Sequence, residues 1–233
     1  VRLEEYIAKK NNPELKTPRE SCLRCLRPSF ACHCNFLLPF DPKIHFVILI
    51  HWREAQKKIA TGRISHLSLK NSQLLNGYNY SEDHRISALL ENPLYHPVVL
   101  YPGEGSLNVS SQTPEQRNSF VPCQKKLLVF VIDGTWTTAR KTMQRSKNLR
   151  GLPSICFDPP SPSRFRVRKQ PGEHCYSTIE AIHQTIELLG PSCGFDVKTR
   201  EHDGLLQLFE RMIDQQVEFS LSRRRSHREE FRR

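Results

Sequence analysis

VFVIDGTWTTARKTMQRS spans Val129 to Ser146. Four of its first five residues are apolar, and the pattern then breaks at Asp133-Gly134-Thr135-Trp136. A short continuous apolar run of this kind reads as a strand buried on both faces. The stretch that follows, with Arg140, Lys141 and Arg145, has the spacing of a helix. A buried strand that ends in a carboxylate and a large aromatic, just where a basic helix begins, needs an explanation beyond packing. Taken singly, each residue has a plain reading: Asp133 or Thr135 as a helix cap, Trp136 as a core aromatic.

The same alternation recurs along the chain. IHFVILIH (44–51) is a dense apolar strand, and the segment 57–75, with Ile59, Ile64, Leu67, Leu74 and Leu75, reads mostly as helix. Residues 81–91 read as a short helix capped by Ser81. HPVVLYPGEGS (96–106) is a buried strand running into a Gly-rich loop, and 105–122 reads as polar and irregular. SICF (154–157) is a short strand, the proline-rich stretch after it a long loop, 177–189 an amphipathic helix, and about 202–220 a last helix. Buried strands alternating with helices predict an α/β fold with a mostly parallel sheet covered on both faces. The expected division is a helical lead and linker (1–20), a cysteine knuckle (21–40), an α/β domain (41–220) and a basic tail (221–233) that frays. The Gly-rich loop matches neither G-x-G-x-x-G nor the P-loop pattern, so a Rossmann dinucleotide site and a P-loop NTPase get no support.

The 233 residues carry a formal net charge of +11, which favours polyanionic partners, nucleic acid first. No stretch approaches the ~20 apolar residues of a membrane span, and residues 1–20 lack the apolar run of a secretory signal. A cytoplasmic, reducing location is the resulting expectation, with no obligate protein partner evident. In that setting the eight cysteines are metal ligands or packing residues before they are disulfides. CLRCLRPSFACHC holds Cys22, Cys25, Cys32 and Cys34. Four thiolates this close can close around one tetrahedral Zn²⁺ and leave no open position, so the metal would be structural. An iron–sulfur cluster, a pair of disulfides and coincidence are the alternatives, and His33 could stand in for one cysteine.

Three strand exits carry unusual residues. The first gives His51, Trp52 and Glu54, then Thr61-Gly62-Arg63; the second gives Leu100, Tyr101 and Pro102; the third gives Asp133 to Trp136. In a parallel sheet all three lie at one rim, which is where α/β folds bind ligands.

Taken in order, these motifs resemble the DTW-domain family. The resemblance rests on C-x-x-C-x-R-P-x-x-x-C-x-C at Cys22 to Cys34, H-x-x-E with a downstream Thr-Gly-Arg at His51 to Arg63, Tyr101-Pro102, Asp-Gly-Thr-Trp at 133–136, and SRFRVRKQP followed by STIEA at 163–181. It covers about 21–215. Trp52 departs from it, since proline is expected after His51. The resemblance implies a SPOUT-like transferase. Such an enzyme moves the 3-amino-3-carboxypropyl group of S-adenosylmethionine to N3 of a tRNA uridine and releases methylthioadenosine.

That chemistry asks for an oriented sulfonium, a holder for the amino-acid carboxylate, and a base near uridine N3. The implied cofactor site is His51, Glu54, Thr61, Gly62, Leu100, Tyr101, Pro102, Asp133, Gly134, Thr135, Trp136, Arg166 and Thr178. Asp133 is the candidate base or an electrostatic partner of the sulfonium, and Trp136 a stacking or cation–π partner. Arg140, Lys141, Arg145, Arg164, Arg168 and Lys169 are the candidate RNA-phosphate contacts, with Glu180 either orienting a loop or lying on a helix face. An RNA methyltransferase with the same cofactor and a non-catalytic zinc-knuckle RNA-binding protein are the competing readings.

Overall fold

The computed structural model describes residues 20–56, 60–167, 172 and 175–230, with the backbone alone for 223–230. The helical lead expected before residue 20, Ile59, and the end of the tail lie outside the described residues. The chain divides into two compact units between Asn35 and Phe36.

The larger unit is built on strands β1 (His45–His51), β2 (Ser72–Gly77), β3 (Tyr95–Leu100), β4 (Leu107–Asn108), β5 (Lys126–Asp133) and β6 (Ser154–Cys156). They form one sheet in the order β2-β1-β5-β3-β6-β4, and every pairing is parallel. The central strands are those whose sequences are continuous apolar runs: Phe46–Ile50 and Leu127–Val131 are buried throughout. Such runs suit a sheet with both faces covered.

The helices are α1 (Trp52–Ala55), α2 (Thr61–Ser68), α3 (His84–Glu91), α4 (Pro114–Phe120), α5 (Trp136–Arg145), α6 (Lys147–Arg150), α7 (Thr178–Leu189) and α8 (Asp203–Glu230). Val47, Leu49, Val99, Leu128 and Phe130 point to one face of the sheet, where they pack with Tyr80, Ile86 of α3 and Leu149 of α6. The opposite face meets α2 and α7, with α8 packed behind them. An ionic network joins α7 to the start of α8. Arg200 donates to Glu187 (2.5 Å) and Asp203 (2.6 Å), and His183 lies 2.9 Å from Asp203.

Because side chains alternate along a strand, the register decides what reaches the rim. Ile50 pairs with Asp133, His51 with Gly77, and Leu100 with Val131. The ends of β1, β5 and β3 therefore lie side by side at one edge, as the sequence reading required. Tyr80, fully buried, braces this edge: its hydroxyl donates to the carbonyls of Leu75 (3.0 Å) and Ile50 (3.4 Å).

Four readings of local structure are corrected. The helix expected over 57–75 stops at Ser68, and Ser72–Gly77 is the edge strand β2. The cap of α3 is Asp83, whose carboxylate accepts from Arg85 N–H, whereas the Ser81 hydroxyl donates to the Arg145 carbonyl. The stretch 105–122 is not irregular: it holds β4 and α4, the latter started by a capping box between Thr113 and Gln116 with Pro114 at its first position. The last helix, expected over about 202–220, continues to Glu230. Among the described residues no helix is long and apolar enough to cross a membrane.

Candidate active site and metal centre

Asp133 is the last residue of β5 and is only 5% exposed. Its Oδ1 accepts from Thr178 Oγ1 at 2.5 Å and from Thr61 Oγ1 at 3.4 Å. Thr178 opens α7 and Thr61 opens α2, so one carboxylate ties two helix starts to the end of the central strand. Gly62 makes this approach possible. A Cβ there would sit 2.6 Å from Asp133 Oδ2 and 2.9 Å from Ile48, closer than real contacts allow. Gly134 does the same one step on, where any side chain would collide with Thr138 Oγ1. The chain can thus turn directly into α5, which Thr135 caps by accepting from Thr138 N–H at 3.1 Å.

Above this junction lies a cavity of about 510 Å³. Its floor is Thr61, Asp133, Gly134 and Thr178, and one wall is Leu100, Tyr101 and Pro102. Thr135 and Trp136 stand at the start of α5, with Trp136 39% exposed. Phe157, Pro159, Phe165 and Tyr176 form the remaining wall. The volume falls in the range of small-molecule sites, as does the character of a mainly apolar lining with a few polar groups.

The far wall comes from the long loop after β6, and a buried carboxylate holds it. Glu180, 4% exposed, accepts from Ser163 Oγ (2.8 Å), Arg164 N–H (2.7 Å), Ser177 N–H (2.8 Å) and Ser177 Oγ (2.6 Å). It is at once the N3 member of the α7 capping box and the anchor of the loop. Of the two sequence readings for Glu180, the loop-orienting one is what the geometry shows. Phe165, two residues past Ser163, packs edge-on against Phe209 at 5.2 Å and so fixes the wall.

Of the expected cofactor residues, Thr61, Leu100, Tyr101, Pro102, Asp133, Gly134, Thr135, Trp136 and Thr178 line the cavity. Gly62 lies behind it, against Asp133. His51 and Glu54 do not line it: His51 caps α1, its Nδ1 accepting from Arg53 N–H at 3.2 Å, and Glu54 is buried within α1. Arg166 does not line it either, because its guanidinium pairs with Asp214 at 3.0 Å. Arg164 pairs with Glu210, one turn earlier on α8. Arg140, Lys141 and Arg145 are exposed along α5. Arg168 and Lys169 lie outside the described residues.

Sequence reasoning missed Phe157, Pro159, Phe165 and Tyr176. The aromatic residues interleaved in that loop were the available signal.

In the N-terminal unit the sulfurs of Cys22, Cys25, Cys32 and Cys34 all lie within 4.8 Å of one another. Cys22 and Cys34 are 3.7 Å apart and Cys25 and Cys32 are 3.8 Å apart. Four sulfurs at the usual Zn–S length of about 2.3 Å span edges of about 3.8 Å, so the donor set fits a zinc ion. The Cys22 thiol is pulled down to about 6 by the backbone N–H groups of Cys25 and Arg24, whereas burial and the neighbouring sulfurs push the Cys34 thiol up. Arg27, 3% exposed, places its charge toward Cys25 and Cys32, an offset for the net negative charge of four thiolates around a divalent ion. His33 is not part of the converging set. A second group, His183, Glu187, His202 and Asp203, is equally close. There Arg200 already supplies the cation to both carboxylates, which makes it an ion-pair lock.

The anchor role of Glu180 is directly testable. Glu180→Gln puts an amide donor among four donors and should cost about 2 kcal/mol in chemical denaturation. It should also speed protease cleavage within 158–176 relative to the rest of the chain. Unchanged stability and an unchanged cleavage pattern would show that the carboxylate does not hold the loop.

Comparison with known proteins places the sequence in a family. The model of the DTW domain matches residues 19–217. A Drosophila melanogaster protein named tRNA-uridine aminocarboxypropyltransferase 2 is 29% identical over 178 residues, covering 73% of this chain and 67% of that protein. The Macaca fascicularis protein of the same name is 25% identical over 177 residues, covering 73% of this chain and 57% of its own length. The Mus musculus one is 23% identical over 175 residues, with the same coverage. No solved structure gives a significant match. With its family model spanning the four-cysteine set, the Asp133 junction and the Glu180 anchor, the chain belongs to the DTW-domain family.

Proposed function

We propose that the chain transfers the 3-amino-3-carboxypropyl group of S-adenosylmethionine to N3 of an unpaired uridine in tRNA. The observation that carries this reading is the buried Asp133 carboxylate in the floor of a largely apolar cavity at the shared strand edge. S-adenosylmethionine supplies an alkyl group whose γ-carbon bonds to N3 as the carbon–sulfur bond breaks, leaving methylthioadenosine.

Each demand of that reaction has a residue to meet it. The Asp133 carboxylate attracts a sulfonium, or takes the N3 proton of the uridine, and Thr178 and Thr61 hold it in one orientation. Trp136 offers a π-face to a cation, worth about 1–2 kcal/mol when desolvated. Tyr101, Pro102, Phe157 and Tyr176 enclose an apolar slot suited to a nucleoside. The first turns of α5 and α7 both open on the cavity, and their positive dipole ends favour an amino-acid carboxylate. Arg140, Lys141 and Arg145 lie exposed just beyond Trp136, where RNA phosphate would pass as the base enters. The names of the relatives support the reaction type at low identity. The four clustered cysteines would hold one structural zinc.

The decisive assay is the by-product made from S-adenosylmethionine and unmodified tRNA. Methylthioadenosine, with an aminocarboxypropyl-uridine in the digested RNA, is the expected result. S-adenosylhomocysteine would mark a methyltransferase, and absence of both products would remove the enzymatic reading. In single turnover with saturating S-adenosylmethionine, Asp133→Asn should slow transfer by about a hundredfold or more if Asp133 is the base; a near-normal rate would exclude that role. Fresh protein should contain one zinc per chain, lost in Cys22→Ser, and a substoichiometric content in the unaltered chain would discard the metal.

A further inference from the structure

The rim of the sheet carries more aromatic surface than the cavity uses. Trp52 directly follows the end of β1 and is 43% exposed; Tyr78 directly follows the end of β2 and is 49% exposed. The two strands are neighbours, and His51 pairs with Gly77, so the two rings leave the sheet from adjacent positions. Each carries a guanidinium on its face. Arg53 lies 5.0 Å from the centre of the Trp52 ring and Arg145 lies 5.3 Å from that of Tyr78. His51 also stacks on the Trp52 ring, at 5.8 Å. On the other flank of β1 comes β5, where Ile50 pairs with Asp133. The row therefore continues the edge that holds the cavity, one and two strands away from it.

A half-exposed tryptophan and tyrosine, each paired with a cation, have the chemistry of a surface that meets flat, electron-rich rings joined by phosphates. Unpaired RNA presents those groups: its bases stack on aromatic side chains and guanidinium planes, and its backbone is drawn to positive charge. Duplex RNA keeps its bases stacked inside and offers such a ledge little. We infer that Trp52 and Tyr78, with Arg53 and Arg145, form a stacking ledge for unpaired nucleotides next to the modified uridine. This rests on the function proposed above for its account of which base enters the cavity. The ledge itself is a single-stranded RNA site whether or not transfer occurs. The overall charge of +11 suits a polyanionic partner of this kind better than a neutral membrane.

The test compares a labelled RNA hairpin having an unpaired, uridine-containing loop with a fully paired RNA of equal length, bound to the full chain. Trp52→Ala should weaken the hairpin complex about tenfold and Tyr78→Ala severalfold, while Trp52→Phe stays within about threefold of the unaltered chain. The paired RNA should change by less than about twofold in each variant, and S-adenosylmethionine affinity by calorimetry should not move. Both rings are about half exposed, so melting curves should shift only a little. Hairpin affinity within about twofold in Trp52→Ala, equal losses on both RNAs, or no preference of the unaltered chain for the hairpin would each overturn the ledge. Trp52-dependent hairpin binding in a protein that makes no methylthioadenosine would uphold the ledge and refute the transferase.

Discussion

The Asp133 carboxylate is where the architecture and the proposed chemistry meet. A strand as apolar as Leu127–Val131 has to run through the middle of the sheet, and its first polar side chain then emerges at the edge with little water around it. A charge so placed is costly unless partners hold it. Two threonine hydroxyls from the starts of α2 and α7 do so. Helix α2 can come that close only because residue 62 lacks a side chain. The carboxylate thus fixes where two helices begin relative to the central strand. In the same geometry it is turned toward the cavity.

The rest of the site is a wall problem. A parallel sheet leaves a crevice beyond its strand ends but does not close it. Closure comes from the loop after β6, which contributes Phe157, Pro159, Phe165 and Tyr176. Glu180 converts that loop into a fixed surface by gathering donors from Ser163, Arg164 and Ser177 around one buried carboxylate. Two acidic residues therefore share the work: Asp133 sets the floor and Glu180 sets the far wall. Both depend on α7, which carries Thr178 and Glu180 within its first turn.

Much of this was legible from residue patterns. The continuous apolar runs marked β1, β3 and β5, and parallel pairing then placed their polar ends together. What escaped notice had physical reasons. β2 reads SQLLNG and is a half-exposed edge strand, so it lacks the apolar density of its neighbours and blends into the periodicity of α2. α4 has no buried residue at all, so only its Thr113–Gln116 cap and Pro114 signal it. Arg164 and Arg166 point the same way although the chain between them is not extended: Arg166 N–H donates to the Arg164 carbonyl at 2.8 Å across a tight turn at Phe165. That direction faces Glu210 and Asp214 on α8, one helical turn apart, a partnership between segments far apart in sequence. The aromatic wall was hidden for the same reason, since loop residues reveal their target only once the loop is anchored. Trp52, noted as a departure from the family pattern, proves to be an exposed ring at the rim.

In the proposed reaction the cavity over Asp133 is the place where the alkyl donor is held. A crystal structure of the full chain with S-adenosylmethionine, or its methylthioadenosine product, measures that directly. The nucleoside should lie against Leu100–Pro102 and Tyr176, with the sulfur end toward Asp133 and Trp136. A ligand bound elsewhere on the molecule, or an empty cavity at saturating ligand, would contradict it.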